Sequence, residues 1–485
     1  MVLSLLLACP LVGMLVILAL PKTAVRAIRG VAFVATGLAL IIGLQLLQGF
    51  QPQVTAIQFQ EHVSWIPQLN IYYHLGVDGI SMPMVLLTVL LGFLACLAST
   101  TITERHKEYF ALYLLLEMGM LGTFLSLDLF LFYVFWEVVL VPMYFLIGIW
   151  GGGRREYSAF KFFVYTLAGS LAMLLGILAL YFRTGTFDMI ALAQTGHTFD
   201  LAFQKLLFIA FFLGFAIKVP IFPFHTWLPD AHVDAPTPIS VILAGVLLKM
   251  GGYGFFRIAY PIFPAGAQAF GWLMASLGMI NIVYGAFVAL AQTDFKRLVA
   301  YSSVSHMGFV LLGLASLTPE GMNGAMMQMF NHGLITGGMF LLVGVLYERA
   351  HTRDLTAFGG LGARVPVYSA MLIFFSLASL GLPGLSGFVG EFLSLVGGFG
   401  AWRWQTMVSV LGVIGAAAYM LKVLQQVLLG PLNDTWKSLK DITTWELCSI
   451  VPLLLIVLAL GLYPLWLLQL QDPALRQLIA HVVGH

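Results

Sequence analysis

Six charged side chains stand inside long apolar runs: Glu117, Glu137, Lys218, Lys249, Glu391 and Lys422. His225, His306 and His332 lie at or within runs of the same kind. A charged side chain at the centre of a bilayer costs at least about 2.5–3.5 kcal/mol on insertion scales. Groups that costly persist only where they face one another or a wet path. Carboxylates, ammonium groups and imidazoles all exchange protons, so the chemistry on offer is proton or ion relay. Structural ion pairing, or snorkelling to the surface, is the competing reading. It weighs most for Glu117 and Lys422, which have fewer helix-breaking or polar neighbours. An imidazole titrates near neutrality and can both accept and donate. The histidines therefore suit a water-linked relay as well as a satisfied core position, and nothing in their spacing demands a haem.

The surroundings of two of these groups favour a path. Lys218 begins Lys218-Val-Pro220-Ile-Phe-Pro223-Phe-His225, where two prolines remove backbone donors and break a helix. Glu391 follows Gly381-Leu-Pro383-Gly384-Leu-Ser-Gly387, a second break. Irregular backbone at membrane depth is tolerated only inside protein or beside water. Paired broken helices in two halves of a chain mark inverted-repeat transporters. The interval from Lys218 to Glu391 equals that from Lys249 to Lys422, 173 residues, which points to a repeat.

The elements that must hold these groups follow from composition. Of 485 residues, 60% are apolar and only 9% charged. A soluble chain carries about 25% charge, so a soluble enzyme, a nucleic-acid binder and a disordered protein are excluded. The apolar runs are about 20 residues long and do not alternate, which excludes an outer-membrane barrel. An all-α polytopic membrane protein remains. The runs predict fourteen transmembrane helices, at about 1–20, 27–48, 80–102, 109–126, 129–150, 159–182, 204–227, 237–258, 267–291, 297–316, 321–347, 366–400, 405–429 and 447–470. The first lacks a basic start and a small-residue cleavage site, so it reads as a span and not as a signal peptide. The twelfth is too long for one straight helix and should be broken or followed by a re-entrant piece. The polar gap 49–79 should pack on the membrane face. The expected organisation is spans 1–3 over 1–108, one five-helix repeat over 109–258 (spans 4–8), its inverted copy over 267–429 (spans 9–13), and a final span and tail over 430–485, with helices 7 and 12 broken.

Basic residues test the count. The loops on one side hold fifteen lysines and arginines, and the opposite loops hold five: Arg183, Lys205, Arg257, Arg403 and Arg476. The positive-inside rule makes the first side cytoplasmic and turns both termini outward, to the periplasm or a lumen. The remaining three are the buried Lys218, Lys249 and Lys422. Cys9, Cys96 and Cys448 lie far apart, with no Cys/His ligand spacing, so neither an iron–sulfur cluster nor a metal site is expected. Gly151-Gly152-Gly153 before Arg154 and Arg155 lacks the context of a nucleotide loop and reads as a turn with a basic anchor.

Several motifs resemble the antiporter-like subunits of respiratory complex I. Phe135-Trp136-Glu137, leading to Pro142 and Trp150-Gly151-Gly152, is similar to their fifth span. Lys218-Val-Pro220 with His225-Thr-Trp227-Leu-Pro229-Asp230-Ala-His232 resembles the seventh, and Leu247-Leu-Lys249-Met-Gly-Gly-Tyr253-Gly the eighth. Ala300-Tyr301-Ser-Ser-Val-Ser-His306-Met-Gly308 and the stretch Gly381 to Phe392 resemble the tenth and twelfth. The likeness covers nearly the whole chain and is strongest to the subunit M, or chain 4, group. The other two groups typically carry Lys where this chain has Glu391, and the long lateral helix of the subunit L type is missing.

The resemblance implies proton translocation in the membrane arm of a quinone oxidoreductase complex. It implies that Glu137 pairs with Lys218, that Lys249 is the central relay and Glu391 the exit-side relay, with His225, His306, His332, Glu117 and Lys422 in support. It implies no cofactor in this chain. NAD(P)H or ferredoxin, iron–sulfur clusters and quinone would belong to partner subunits, among them subunit N-like (chain 2) and subunit L-like (chain 5) neighbours in the lipid bilayer. Thr186-Phe-Asp-Met-Ile190 and the stretch Trp136 to Pro142 are similar to cyanobacterial relatives, which implies plastoquinone and a thylakoid membrane; the bacterial inner membrane is the other expected location. A cation/proton antiporter subunit and a membrane-bound hydrogenase subunit share these motifs and stay open.

Overall fold

The computed structural model describes residues 1–484, and its architecture is almost wholly helical. Among the described residues, thirteen helices are long and apolar enough to cross a membrane. The twelfth expected span is built from two shorter helices, Pro366–Ser379 and Ser386–Ala401. Between them Gly381 and Gly384 take left-handed φ values of 80° and 94°, a conformation that strains any residue with a Cβ.

Three further departures from regular helix fall beside the charged groups. The seventh span, Leu201–Lys218, stops at the lysine itself, and regular helix resumes only at Trp227–Asp234. Pro220 has no N–H for the helical ladder, which ends the helix there. The fifth span, Leu129–Trp150, is interrupted at Val139, two residues after Glu137. Pro142 is the cause, because it offers the Val138 carbonyl no donor. The eighth span, Thr237–Ile262, carries two π-helical segments, Leu243–Leu247 and Phe255–Ala259, on either side of Lys249. Such wide turns recur at functional positions, and apolar periodicity does not reveal them.

The chain forms two compact units by its contacts: residues 1–219, 246–271 and 469 onward in one, 220–245 and 272–468 in the other. The expected repeats are divided differently, since 220–245 packs with the second unit. A repeat signal does appear in the capping. Asp128 and Asp188 each accept hydrogen bonds from the first turn of the helix they precede, and they pair as an isolated β-bridge. Asp294 and Asp354 do the same sixty residues apart, at the tenth span and at a short turn. The two devices recur at the same spacing, one in each unit.

The gap 49–79 contains structure that the sequence reading missed. Gln58–Ile66 and Ile71–Val77 form an antiparallel hairpin, closed by Asn70 in a left-handed conformation. The C-terminal tail is also ordered, as the helix Leu465–Val483. In the first unit Asp78 forms a buried ion pair with Arg257, a residue assigned to an outer loop from sequence but lying inside the second π-helical segment. Burial pushes the Asp78 carboxyl up, yet the Arg257 guanidinium and the backbone amides of Ser81 and Ile80 outweigh it and hold the group below its usual value. A depressed carboxylate stabilises the fold above the ordinary value near 3.9, and loses that contribution as pH falls through its lower folded value. Asp78→Asn should cost about 3–5 kcal/mol by stranding the buried guanidinium. It is measurable as a lower unfolding temperature of the purified assembly at neutral pH, and the deficit relative to wild type should shrink in strong acid.

Candidate proton path

In the first unit the fifth, seventh and eighth spans bring Glu137, Lys218 and Lys249 into one region. Lys218 is buried at the end of its helix. Its Nζ lies 5.1 Å from the centre of the Trp136 ring and 5.7 Å from that of Phe162. Trp136 is fixed in turn by its Nε1–H donating to Ser170 Oγ at 3.0 Å. The charge that acts on Lys218 is Glu137. The two form no direct ion pair among the described contacts, and the Glu137 Oε1 is buried without a hydrogen-bond partner. The expected pairing is therefore an interaction at a distance: aromatic faces hold the ammonium while the carboxylate sits at the helix interruption. A partner held by field alone can be moved without first breaking a short bond.

Lys249 is fully buried. Gly251, two residues on, lets its helix close on the seventh span. A Cβ there would meet the Phe215 carbonyl at 2.8 Å and Lys218 Cβ at 3.0 Å. Glu117 is buried on the fourth span, and neither carboxylate oxygen has a hydrogen-bond partner. It packs against Gly92, where a Cβ would come within 2.5 Å of Oε1.

In the second unit His306 and Glu391 are in direct contact. The imidazole Nδ1 lies 2.9 Å from Glu391 Oε1, and both side chains are buried. Ser379 Oγ and the Tyr419 hydroxyl stand 3.2 and 3.3 Å from Nε2. With Nδ1–H donating to the carboxylate, Nε2 accepts from these hydroxyls. Gln328 Nε2–H donates to the same Glu391 oxygen at 3.4 Å. The His332 ring centre is 5.7 Å from that of His306. A small cavity bounded by His306, Gln328, His332, Ser379 and Glu391 has room for about one water. Gly381, at the helix break, allows Glu391 its position: a Cβ there would sit 3.0 Å from Oε2.

The other expected residues are placed differently. The Tyr284 hydroxyl is 3.3 Å from His225 Nε2, and Phe222 stacks on the ring. Lys422 donates to the carbonyls of Leu290 (2.8 Å) and Gln292 (3.0 Å), so it caps the helix Gly271–Ala291 and does not stand beside Glu391. Two buried groups escaped the sequence reading. Lys296, counted there as a loop residue, is buried and donates to the Ala235 carbonyl at 2.5 Å. Tyr419 shares no motif with His306, although the polar flank of its helix could have drawn attention to it.

The comparisons with known proteins bear on this arrangement. The family described as NADH:quinone oxidoreductase/Mrp antiporter, TM matches residues 126–417, and the one described as NADH-ubiquinone oxidoreductase chain 4, amino terminus matches 31–128. NADH-quinone oxidoreductase subunit M of Rhodobacter capsulatus is 46% identical over 466 residues, covering 94% of this chain and 91% of its own. The chain belongs to the subunit M/chain 4 family. NADH-ubiquinone oxidoreductase chain 4 of Marchantia polymorpha is 40% identical over 99% of this chain and 97% of its own. The solved respiratory complex I from Thermus thermophilus contains a chain that superposes with a TM-score of 0.91 at 34% identity, covering 99% of this chain and all of that one. Like the rest of the subunit M/chain 4 family, the protein is a proton-pumping, multi-pass subunit of a complex I-type membrane arm. These relatives give no support to a cyanobacterial source, plastoquinone or a thylakoid location.

Proposed function

We propose that protons cross this subunit by way of Glu137, Lys218 and Lys249 in the first unit and of His306 and Glu391 in the second, Glu391 being the outward group. The observation that carries this is the buried His306–Glu391 hydrogen bond at the break of the twelfth span. A carboxylic acid and an imidazole in contact, beside space for water, can pass a proton in either direction. In the first unit a buried ammonium with a nearby carboxylate keeps its proton; with that carboxylate withdrawn it faces desolvation alone and releases the proton more readily. Moving one charge against 100 mV takes about 2.3 kcal/mol, which a change in one such buried pair can supply. His225 and His332 line the route in support, Glu117 is a reserve carboxylic acid, and Lys422 holds a helix end.

Redox chemistry belongs to partner subunits, which carry the NAD(P)H or ferredoxin site, the iron–sulfur clusters and the quinone site, and chain 2-like and chain 5-like subunits flank this one. The antiporter in the family's description favours a second reading, a subunit of a cation/proton antiporter. Mass spectrometry of the intact purified assembly separates the two: iron–sulfur and quinone-site subunits should co-purify, and their absence would favour the antiporter. Both termini face away from the cytoplasm in this reading, because fourteen basic residues, the fifteen of the sequence count less the buried Lys296, lie on the opposite side. A tag at either end should be protected from protease added on the cytoplasmic side; digestion there would reverse the orientation.

A further inference from the structure

The hairpin carries a cluster that proton transfer does not use. His62 and His74 are direct cross-strand partners in the register of its two strands. Their rings meet edge to face, with centres 4.6 Å apart. Asp188, far along the chain, closes the third side, its Oδ2 lying 3.1 Å from His74 Nδ1. One possible ligand atom from each of the three lies within 4.8 Å of the others.

We propose that His62, His74 and Asp188 bind a divalent transition-metal ion that clasps the hairpin to the segment preceding Met189–Thr195. Four features argue for a ligand here. His74 is buried, and it presents Nδ1 to the Asp188 carboxylate, which makes that nitrogen the ligand atom. Asp188 divides its carboxylate: Oδ1 accepts from the Ala191 amide at 2.8 Å and so caps the helix, which leaves Oδ2 directed at His74. A second carboxylate, Asp128, is bridged to Asp188 through the backbone and adds negative charge beside the cluster. His62 is exposed and stacks on the Tyr72 ring, so turning it toward His74 gives up that surface contact but leaves the core undisturbed.

Two imidazoles and one carboxylate are the donor set of a borderline cation such as Zn²⁺ or Cu²⁺, not of Mg²⁺ or Ca²⁺, which take oxygen ligands. Tetrahedral ligands about 2.0–2.2 Å from a metal stand about 3.3–3.6 Å apart. The His74–Asp188 pair is already close to that spacing at 3.1 Å. Only the exposed His62 ring has to close in, and cross-strand pairing fixes its Cα opposite that of His74. Three protein ligands leave a fourth position for water. The cysteines and short His spacings that signal metal in a sequence are missing because the ligands come from two strands of a hairpin and a helix cap 114 residues beyond His74.

The test uses the purified complex, stripped with chelator and titrated with Zn²⁺ by equilibrium dialysis and elemental analysis. The wild type should bind one more Zn²⁺ per complex than His62→Gln does, with affinity at that site falling at least about tenfold in the variant. Cu²⁺ at the same site should give an electron paramagnetic resonance signal with two nitrogen ligands, reduced to one in His62→Gln. Because His62 is exposed, this variant keeps the fold, which an unchanged melting profile in chelator checks. Asp188→Asn keeps the helix cap and should also weaken binding, and Zn²⁺ should protect the hairpin from protease in the wild type alone. Equal Zn²⁺ binding and equal protection in wild type and His62→Gln would overturn the site.

Discussion

Glu137→Gln should abolish most proton uptake by vesicles carrying the complex, while the complex still assembles. Glutamine keeps the volume and an acceptor oxygen at the helix interruption, so packing around Val139 is unchanged, but the charge that acts on Lys218 is gone. Lys218→Met should behave alike, since a methionine fills the space between the Trp136 and Phe162 rings without the ammonium. Each tenfold change in a proton equilibrium is about 1.4 kcal/mol, and one charge against 100 mV takes about 2.3 kcal/mol. Removing either partner should therefore lower pumping more than tenfold. Two controls identify the cause. Glu137→Asp keeps the charge and should retain part of the activity, because the pair acts through space and not through a short bond. The double variant Glu137→Gln with Lys218→Met should be no worse than either single one if the two act as a unit. Normal pumping by an assembled Glu137→Gln complex would remove this pair from the path.

The difference between a field and a bond at this pair shows what a sequence can and cannot carry. Charge inside hydrocarbon is rare enough that Glu137, Lys218, Lys249 and Glu391 declare themselves by residue type alone. Proline and glycine likewise announce the breaks after Lys218 and before Glu391, because each removes a backbone constraint that any sequence reader can see. Distance is another matter. Nothing in Phe135-Trp136-Glu137 says that the tryptophan, and not the carboxylate, will face the lysine. His306 and Glu391 are 85 positions apart, and their 2.9 Å contact depends on helix packing and on Gly381. The hairpin was missed for a different reason. Its burial pattern alternates poorly, since most of Gln58–Ile66 is exposed, and in a chain this apolar a short polar gap carries little signal. The same holds for Arg257. Its place near an apolar run's end suggested a loop, yet Asp78 holds it inside the protein.

Glu391→Gln should block the outward step even more cleanly than its neighbours' variants, and the geometry says why. Glutamine is nearly isosteric, and its carbonyl oxygen can still accept from His306 Nδ1–H, so the bond observed at 2.9 Å survives. The Ser379 and Tyr419 contacts to Nε2 are equally untouched. What vanishes is the capacity to take a proton from the imidazole and hand it on. Glu391→Asp tests the complementary case. It keeps the proton-exchanging group but withdraws it by one C–C bond, about 1.5 Å, which converts the direct contact into one bridged by water. The small cavity beside Glu391 offers the space. Partial activity is expected there, with the proton-to-electron ratio preserved. His306→Asn should lower the rate at an unchanged ratio, since the carboxylate remains. The assay is proton uptake with quinone reduction measured in parallel, so that a structural failure, which would stop both, is distinguished from a blocked path. Should Glu391→Gln pump at the normal ratio, protons leave by another route, and the buried Lys296 beside the Ala235 carbonyl becomes the next group to neutralise.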